Sequence, residues 1–172
     1  ACVACNQACI GHMLNASPIS CIQHPETGRE LTYGMSVPAA PPRRIMVVGG
    51  GPAGLKAAAV AAQRGHDVTL YEASDRLGGQ VNLAQLLPGR AEFGGVSTNL
   101  GHEVQRAGVR VHLKTAVTRA FVEHEHPDAV ILATGGTSRM PVIEGADEAH
   151  VVSAWGVLEG RANVGARVAI AD

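Results

Sequence analysis

Aromatic residues are scarce: two Phe, two Tyr and one Trp make up 3% of 172 residues. A core must then be built from aliphatic side chains. That profile, with 21 glycines, fits strands and slim helices joined by glycine turns. An excess of charge of one sign is missing too. The net charge is −1 and no basic stretch dominates, which argues against nucleic acid as a partner. No apolar run approaches the roughly 18 residues that cross a bilayer, so no membrane partner is expected. No secretory leader is expected either, since cysteines stand at the N-terminus where a charged-then-apolar order should be. Cysteine is absent after residue 21. Structural disulfides spread through a fold, whereas four cysteines at one end point to a metal site in a reducing compartment, expected to be the cytoplasm. An initiating Met is lacking as well, and the first ligand candidate is already Cys2. At the other end Arg167-Val168-Ala169-Ile170-Ala171 predicts a strand that stops at Asp172. Both ends are therefore expected to continue into a longer polypeptide.

Residues 1–36 show little periodicity and carry the cysteines. Residues 37–44 form a proline-rich connector, Val37-Pro38-Ala39-Ala40-Pro41-Pro42, that favours extended backbone. The pattern then changes. Ile45-Met46-Val47-Val48 is a short apolar run of the kind found in buried parallel strands. Glycines follow, then a helix over about residues 52–64 with Pro52 in its first turn and Gly65 as its cap. Residues 67–71 predict the next strand, closing a β–α–β unit. Phe93, Val96, Leu100 and Val104 recur at helical spacing, although Gly94, Gly95 and Gly101 weaken that helix. Residues 109–113 and 129–133 predict further strands. The fold class expected is α/β: a Rossmann-like, three-layer FAD/NAD(P)-binding domain over residues 45–150, preceded by an irregular cluster-binding segment. Residues 151–172 are expected to open a second nucleotide-binding domain.

Gly49-Gly50-Gly51-Pro52-Ala53-Gly54 fits G-x-G-x-x-G, and its context makes it informative. It follows an apolar strand, opens a helix, and precedes an acid, Glu72, at the end of the next strand. Gly49 permits a tight turn, Gly51 lets backbone approach a pyrophosphate, and Gly54 lets helix and strand pack closely. The helix N-terminus offers N–H groups and a positive dipole end to phosphate. Glu72 can accept from ribose hydroxyls and disfavours a 2′-phosphate, so NADP is not expected at this loop. Gly78-Gly79 would let the chain fold back over an extended diphosphate, which favours FAD, or its ADP half, over NAD. Ala133-Thr134-Gly135-Gly136 ends a later strand with residues small enough to lie beside a nucleotide.

The cysteine spacing is C-x2-C-x3-C-x11-C over Cys2, Cys5, Cys9 and Cys21. Three close thiolates and one distant one can wrap an iron–sulfur cluster. Zinc stays open as the rival metal, although its sites usually pair two short knuckles or mix Cys with His. Unliganded thiols remain a third reading, and His12 and His24 flank the segment and could replace a cysteine. A redox dithiol is disfavoured, because Cys2 and Cys5 precede any regular structure.

Together these motifs resemble the trimethylamine dehydrogenase / 2,4-dienoyl-CoA reductase family of iron–sulfur flavoproteins. The resemblance rests on Cys2-Val3-Ala4-Cys5-Asn6-Gln7-Ala8-Cys9, Ser20-Cys21, residues 47–55, Tyr71-Glu72-Ala73, Gly78-Gly79-Gln80 and Ala133-Thr134-Gly135. It implies a [4Fe-4S] cluster on Cys2, Cys5, Cys9 and Cys21. It also implies FAD or ADP on Gly49, Gly51, Pro52, Ala53, Gly54, Glu72, Ala73, Arg76, Gly79, Gln80, Val117, Ala133, Thr134 and Gly135. The catalytic residues and FMN of such enzymes lie in a preceding TIM barrel, so none is expected in this chain. As partners the resemblance implies that barrel, then an electron-transfer flavoprotein or NAD(P)H, with a homo-oligomer allowed. Two branches differ in direction: amine dehydrogenases and demethylases send electrons outward, NADPH-dependent 2,4-dienoyl-CoA or enoate reductases take them inward. Asp172 stands where the second domain should have a glycine, which leans the reading towards amine oxidation. A zinc-stapled nucleotide-binding module is the non-enzymatic alternative.

Three further features attract blander readings. His124-Glu125-His126, before Pro127-Asp128, reads as a solvated turn; Trp155 is expected to pack under a connector; and Arg90 serves either the cofactor or a surface ion pair.

Overall fold

The structure, a computed structural model, describes residues 2–34 and 37–170. Four strands, β1 (Arg44–Val48), β2 (Asp67–Tyr71), β3 (Arg110–His112) and β4 (Ala129–Leu132), form a sheet in the order β3-β2-β1-β4. Every pairing is parallel, with Val47 opposite Leu70 and Ile131. Parallel neighbours need crossovers. These are α1 (Pro52–Gln63), α2 (Gly94–Arg106) and α3 (Arg119–Glu125).

Alternation along the strands sorts the side chains into two faces. Val47, Val68 and Leu70 meet α1 and α2 through Leu55, Ala58, Ala59, Val96, Leu100 and Val104. The alanines let α1 lie close to the sheet. Lys56 Nζ donates to Glu103 Oε2 at 2.6 Å and ties α1 to α2. Met46, Val48 and Tyr71 point to the other face, against Val117, Phe121 and Val122. The Tyr71 ring stacks on His112 and meets the edge of Phe121, with centroids 5.1 and 5.0 Å apart. The three layers are thus helices, sheet, and a thinner cover led by α3. Val130 and Leu132 share that second face at the sheet's edge, and Leu132 is 76% exposed.

Most predicted elements are found within a residue or two. α2 forms despite its glycines because two of them sit at its first turn under close neighbours. A Cβ on Gly95 would stand 3.0 Å from Val3 Cγ1, and one on Gly94 would collide with the Gln85 side chain. Phe93 lies in the tight turn Ala91–Phe93 that precedes α2. α3 was not anticipated. Its cap is Thr118, whose Oγ1 accepts from Phe121 N–H at 3.2 Å. His124 and Glu125 end this helix and His126, at φ 47, is its left-handed cap. The triplet is exposed as expected, but by virtue of a helix end.

The chain divides into two compact units, Ala1–Gly135 and Gly136–Asp172. The cysteine segment belongs to the first, where Val3, 4% exposed, joins the core beneath α2. The connector is pinned to the end of α1: Ala39 N–H donates to Arg64 O at 2.8 Å, and Arg64 Nε donates to Val37 O at 3.1 Å. A division at 150/151 falls inside the second unit. There the helix Ala154–Leu158 is capped by Ser153, whose Oγ accepts from Gly156 N–H, and Trp155 is half-buried in it. The strand expected over residues 167–171 is not formed at residues 167–170; Ala171 and Asp172 lie outside the described residues. Among the described residues this unit contains no other strand, and a lone strand has nothing to share its hydrogen bonds with.

Truncating Leu70, which is fully buried, should separate core from edge. Leu70→Ala is expected to lower the unfolding free energy by about 2–5 kcal/mol. Leu132→Ala should change it by about 0.5 kcal/mol or less. Denaturant titration of the two variants checks the difference.

Candidate functional site

The glycine loop is built by close backbone approach. Gly49 has φ +108, and a Cβ there would strike the Ala133 carbonyl oxygen. One on Gly54 would strike the Gly49 carbonyl oxygen and stand 3.3 Å from Ala133 Cβ. Gly51 is extended at the cap of α1 and Pro52 takes the first helical position. The N–H groups of the next residues, Ala53 and Gly54, have no acceptor within a helix at that position and face outward along its axis. Positive dipole, free donors and absent side chains together make a cradle for a diphosphate.

Glu72 closes the cradle from the end of β2. Its Oε2 accepts from Gly50 N–H at 2.6 Å and its Oε1 from Ser74 N–H at 2.7 Å. Partial burial is the largest influence on this carboxyl and raises its pKa. The hydrogen bonds from Ser74, Gly50 and Ala73 together outweigh burial, so the group is held below the usual carboxylate value. Each oxygen keeps acceptor capacity for a ribose hydroxyl. Ala73 N–H is thus a supporting donor, and Arg76 contributes its carbonyl, which accepts from Ser74 Oγ at 2.7 Å.

The second glycine pair folds back onto the first. Gly78 N–H donates to Gly50 O at 2.8 Å, and a Cβ on Gly79 would stand 3.1 Å from Gly51 Cα. Gln80 follows at the cap of Val81–Ala84, with its Nε2 near Gly135. Ala133 N–H donates to Val48 O at 2.8 Å, which sets Ala133, Thr134 and Gly135 beside Gly49. Val117 packs its side chain, partly buried, against the second sheet face. Arg90 sits over the Phe93 ring, its guanidinium carbon 5.6 Å from the centroid.

The cysteines converge. Cys2, Cys5, Cys9 and Cys21 line one cavity of about 40 Å³, together with Val3, Asn6, Ala8, Ile22 and Gln23. All four thiols are free. Ala4 and Asn6 adopt left-handed backbone at φ 50 and 55, and Ala4 N–H reaches Cys2 Sγ at 3.3 Å. The return to Cys21 is tied down by Ser20 N–H donating to Ala8 O at 2.8 Å. Among the described residues no three Cys, His, Asp or Glu stand close enough to hold a single metal ion. Four thiols around one cavity make a candidate ligand set for a metal centre. His12 is turned away, its Nδ1 2.9 Å from Pro18 O, and His24 lines a different cleft.

Sequence reasoning missed three contributors. Gly50 holds Glu72, and its signal was a third glycine in a row. Val3 fixes the cysteine segment, signalled by an apolar residue between two ligand candidates. Gln23, 3% exposed, gave no signal in sequence.

The profile of the pyridine nucleotide-disulphide oxidoreductase family matches residues 43–159. The chain is 38% identical to a metal reductase of Desulforamulus reducens, over 98% of this chain and 26% of that protein. It is also 38% identical to an N,N-dimethylglycine/sarcosine dehydrogenase of Chromohalobacter salexigens, over 99% of this chain and 26% of that protein. Among solved structures, a 2-naphthoyl-CoA reductase complex superposes with a TM-score of 0.90 at 34% identity, over 95% of this chain and 25% of that one. The chain therefore spans about a quarter of the length of the relatives it matches. With its parallel sheet, glycine cradle and acid at the end of β2, this chain belongs to the pyridine nucleotide-disulphide oxidoreductase family, among flavoproteins of the trimethylamine dehydrogenase / 2,4-dienoyl-CoA reductase type.

Proposed function

We propose that this chain is the electron-relay portion of a longer oxidoreductase, holding a [4Fe-4S] cluster on Cys2, Cys5, Cys9 and Cys21 and the ADP half of FAD, or ADP itself, in the glycine cradle. The observation that carries the reading is the lining of one cavity by all four cysteines, in the same compact unit as the cradle. When bound, a cluster and a flavin supply one-electron transfer between an FMN site and an external donor or acceptor.

The chain's own residues hold and insulate. Gly49, Gly51 and Gly54 bring backbone up to the diphosphate. Glu72 orients the ribose, its ionised state favoured by Gly50 and Ser74. Gly78 and Gly79 cover the loop, and Ala133, Thr134 and Gly135 wall the other side. Around the cysteines, buried Val3 supplies an apolar wall, and left-handed Ala4 and Asn6 turn the backbone around the sulfurs. Substrate chemistry is assigned to an FMN-bearing barrel in the same polypeptide, and four reduced thiols suit the cytoplasm.

For direction, amine oxidation is the preferred reading, supported by the likeness to the N,N-dimethylglycine/sarcosine dehydrogenase. An electron-transfer flavoprotein is then the acceptor. The likeness to 2-naphthoyl-CoA reductase favours the reverse, with NAD(P)H as donor. Stopped-flow reduction of the full-length protein by N-methylated amines, against NADPH, decides between them: bleaching by the nucleotide alone would end the amine reading.

Anaerobically purified full-length protein should contain about four irons per chain. Cys9→Ser and Cys21→Ser should each lose most of it while retaining flavin. Stoichiometric zinc with no visible absorbance from the metal would establish the zinc-stapled module instead.

Glu72→Ala should weaken binding of FAD or ADP by roughly 10-fold or more, the loss of hydrogen bonds to a charged acceptor. Calorimetric titration checks it. Because the folded carboxyl lies below its unfolded value of about 4.3, its stabilisation is complete above that pH. It disappears as pH falls through the folded pKa. Glu72→Gln should therefore be less stable than the parent at pH 7, with the gap closing in acid.

A further inference from the structure

Gln23 stands between two cavities. One is the cysteine cavity, bordered otherwise by Cys, Val, Ala, Ile and Asn. The other is a polar cleft of about 390 Å³, lined by Gln23, His24, Asn99, His102, Glu103, Gln105 and Arg106. Gln23 alone lines both. It is two residues beyond Cys21, and it is the buried polar residue of the core at 3% exposure. Its position is set from α2, where Asn99 Nδ2 donates to Gln23 Oε1 at 2.9 Å. Asn99 is itself fixed beside Leu100 and about one helical turn beyond Val96, both buried in the core.

We propose that Gln23 is a positioning residue that walls the cluster chamber off from the polar cleft, and that Asn99 holds this wall shut. The inference rests on the cluster reading given above. Burial and the hydrogen bond from Asn99 to its carbonyl bias the Gln23 side chain against swinging away. Water in the cleft, drawn by two histidines, an arginine and a glutamate, is then kept from entering the chamber past Gln23, whereas Cys2 is exposed to solvent of its own. Hydrogen bonding and solvent exposure set both the stability and the potential of such a centre. The wall therefore controls two measurable quantities: how fast the cluster is stripped, and where it is reduced.

The test uses the full-length protein carrying Gln23→Ala, Gln23→Met, Asn99→Leu or Asn99→Asp. Iron and sulfide are measured first, then loss of visible absorbance to bathophenanthroline disulfonate, then the potential by titration followed by electron paramagnetic resonance. Gln23→Ala and Asn99→Leu should lose the cluster roughly 10-fold faster than the parent, with a potential shifted positive because water stabilises the more negative reduced state. Gln23→Met fills the space but cannot be held by Asn99, and it should also lose the cluster faster than the parent. Asn99→Asp should keep slow loss, because the Gln23 amide can turn and donate to the new carboxylate. Loss rates and potentials equal to the parent in Gln23→Ala and Asn99→Leu, at full iron content, would overturn the wall. A parent protein without iron would overturn the cluster reading itself, and the wall with it.

Discussion

The architecture depends on one close approach of backbone to backbone. Where β1 ends, Gly49 turns against the carbonyl of Ala133, and Gly54 on α1 passes over the carbonyl of Gly49. Side chains at either position would push strand, loop and helix apart. With them absent, β1, β4 and α1 meet at one point, and the N-terminus of α1 is aimed into the open end of the sheet. The hydrogen bond from Gly50 to Glu72 then brings β2 into the same junction. Fold and nucleotide cradle are therefore one piece of geometry, and a change that loosens one loosens the other.

The cysteine segment is fastened to that scaffold by different means. Its regular structure is limited to short helical turns, Gln7–Gly11, His12–Leu14 and Glu30–Tyr33, and among its described residues only Val3 and Gln23 are deeply buried. Val3 enters beneath the first turn of α2, where Gly95 leaves room, and Gln23 is gripped by Asn99 further along the same helix. Apolar packing of Val3 and Cys5 on the core and the Gln23–Asn99 amide pair thus help hold a segment that short-range hydrogen bonds shape locally. α2 serves as the backplate for the cavity, and α1 serves it indirectly through the Lys56–Glu103 pair.

Much of this was legible in sequence because it is written in short-range patterns. Ile45-Met46-Val47-Val48, the glycine run and Glu72 specify strand, turn and acid at fixed offsets, and the close cysteine spacing anticipates four thiols around one cavity. What was not legible depends on partners distant in sequence. Gln23 shows its role only against Asn99, 76 residues away. Gly95 read as a helix weakness until Val3 was found against it. α3 is a short helix whose apolar residues, Phe121 and Val122, gain meaning only from Tyr71 and Met46 on the sheet. Residues 167–170 do not form the predicted strand although their apolar sequence is in order, and among the described residues of their unit no strand lies beside them.

The burial of Val3 has a thermodynamic side. A residue flanked by two candidate ligands is also a member of the aliphatic core that supports the glycine loop. The two sites then share a single cooperative unfolding unit, and whatever fills either one stabilises the native state common to both by mass action. Occupancy at the sulfur end would suppress opening at the phosphate end with no atom displaced between them, a linkage carried by fluctuation rather than by movement.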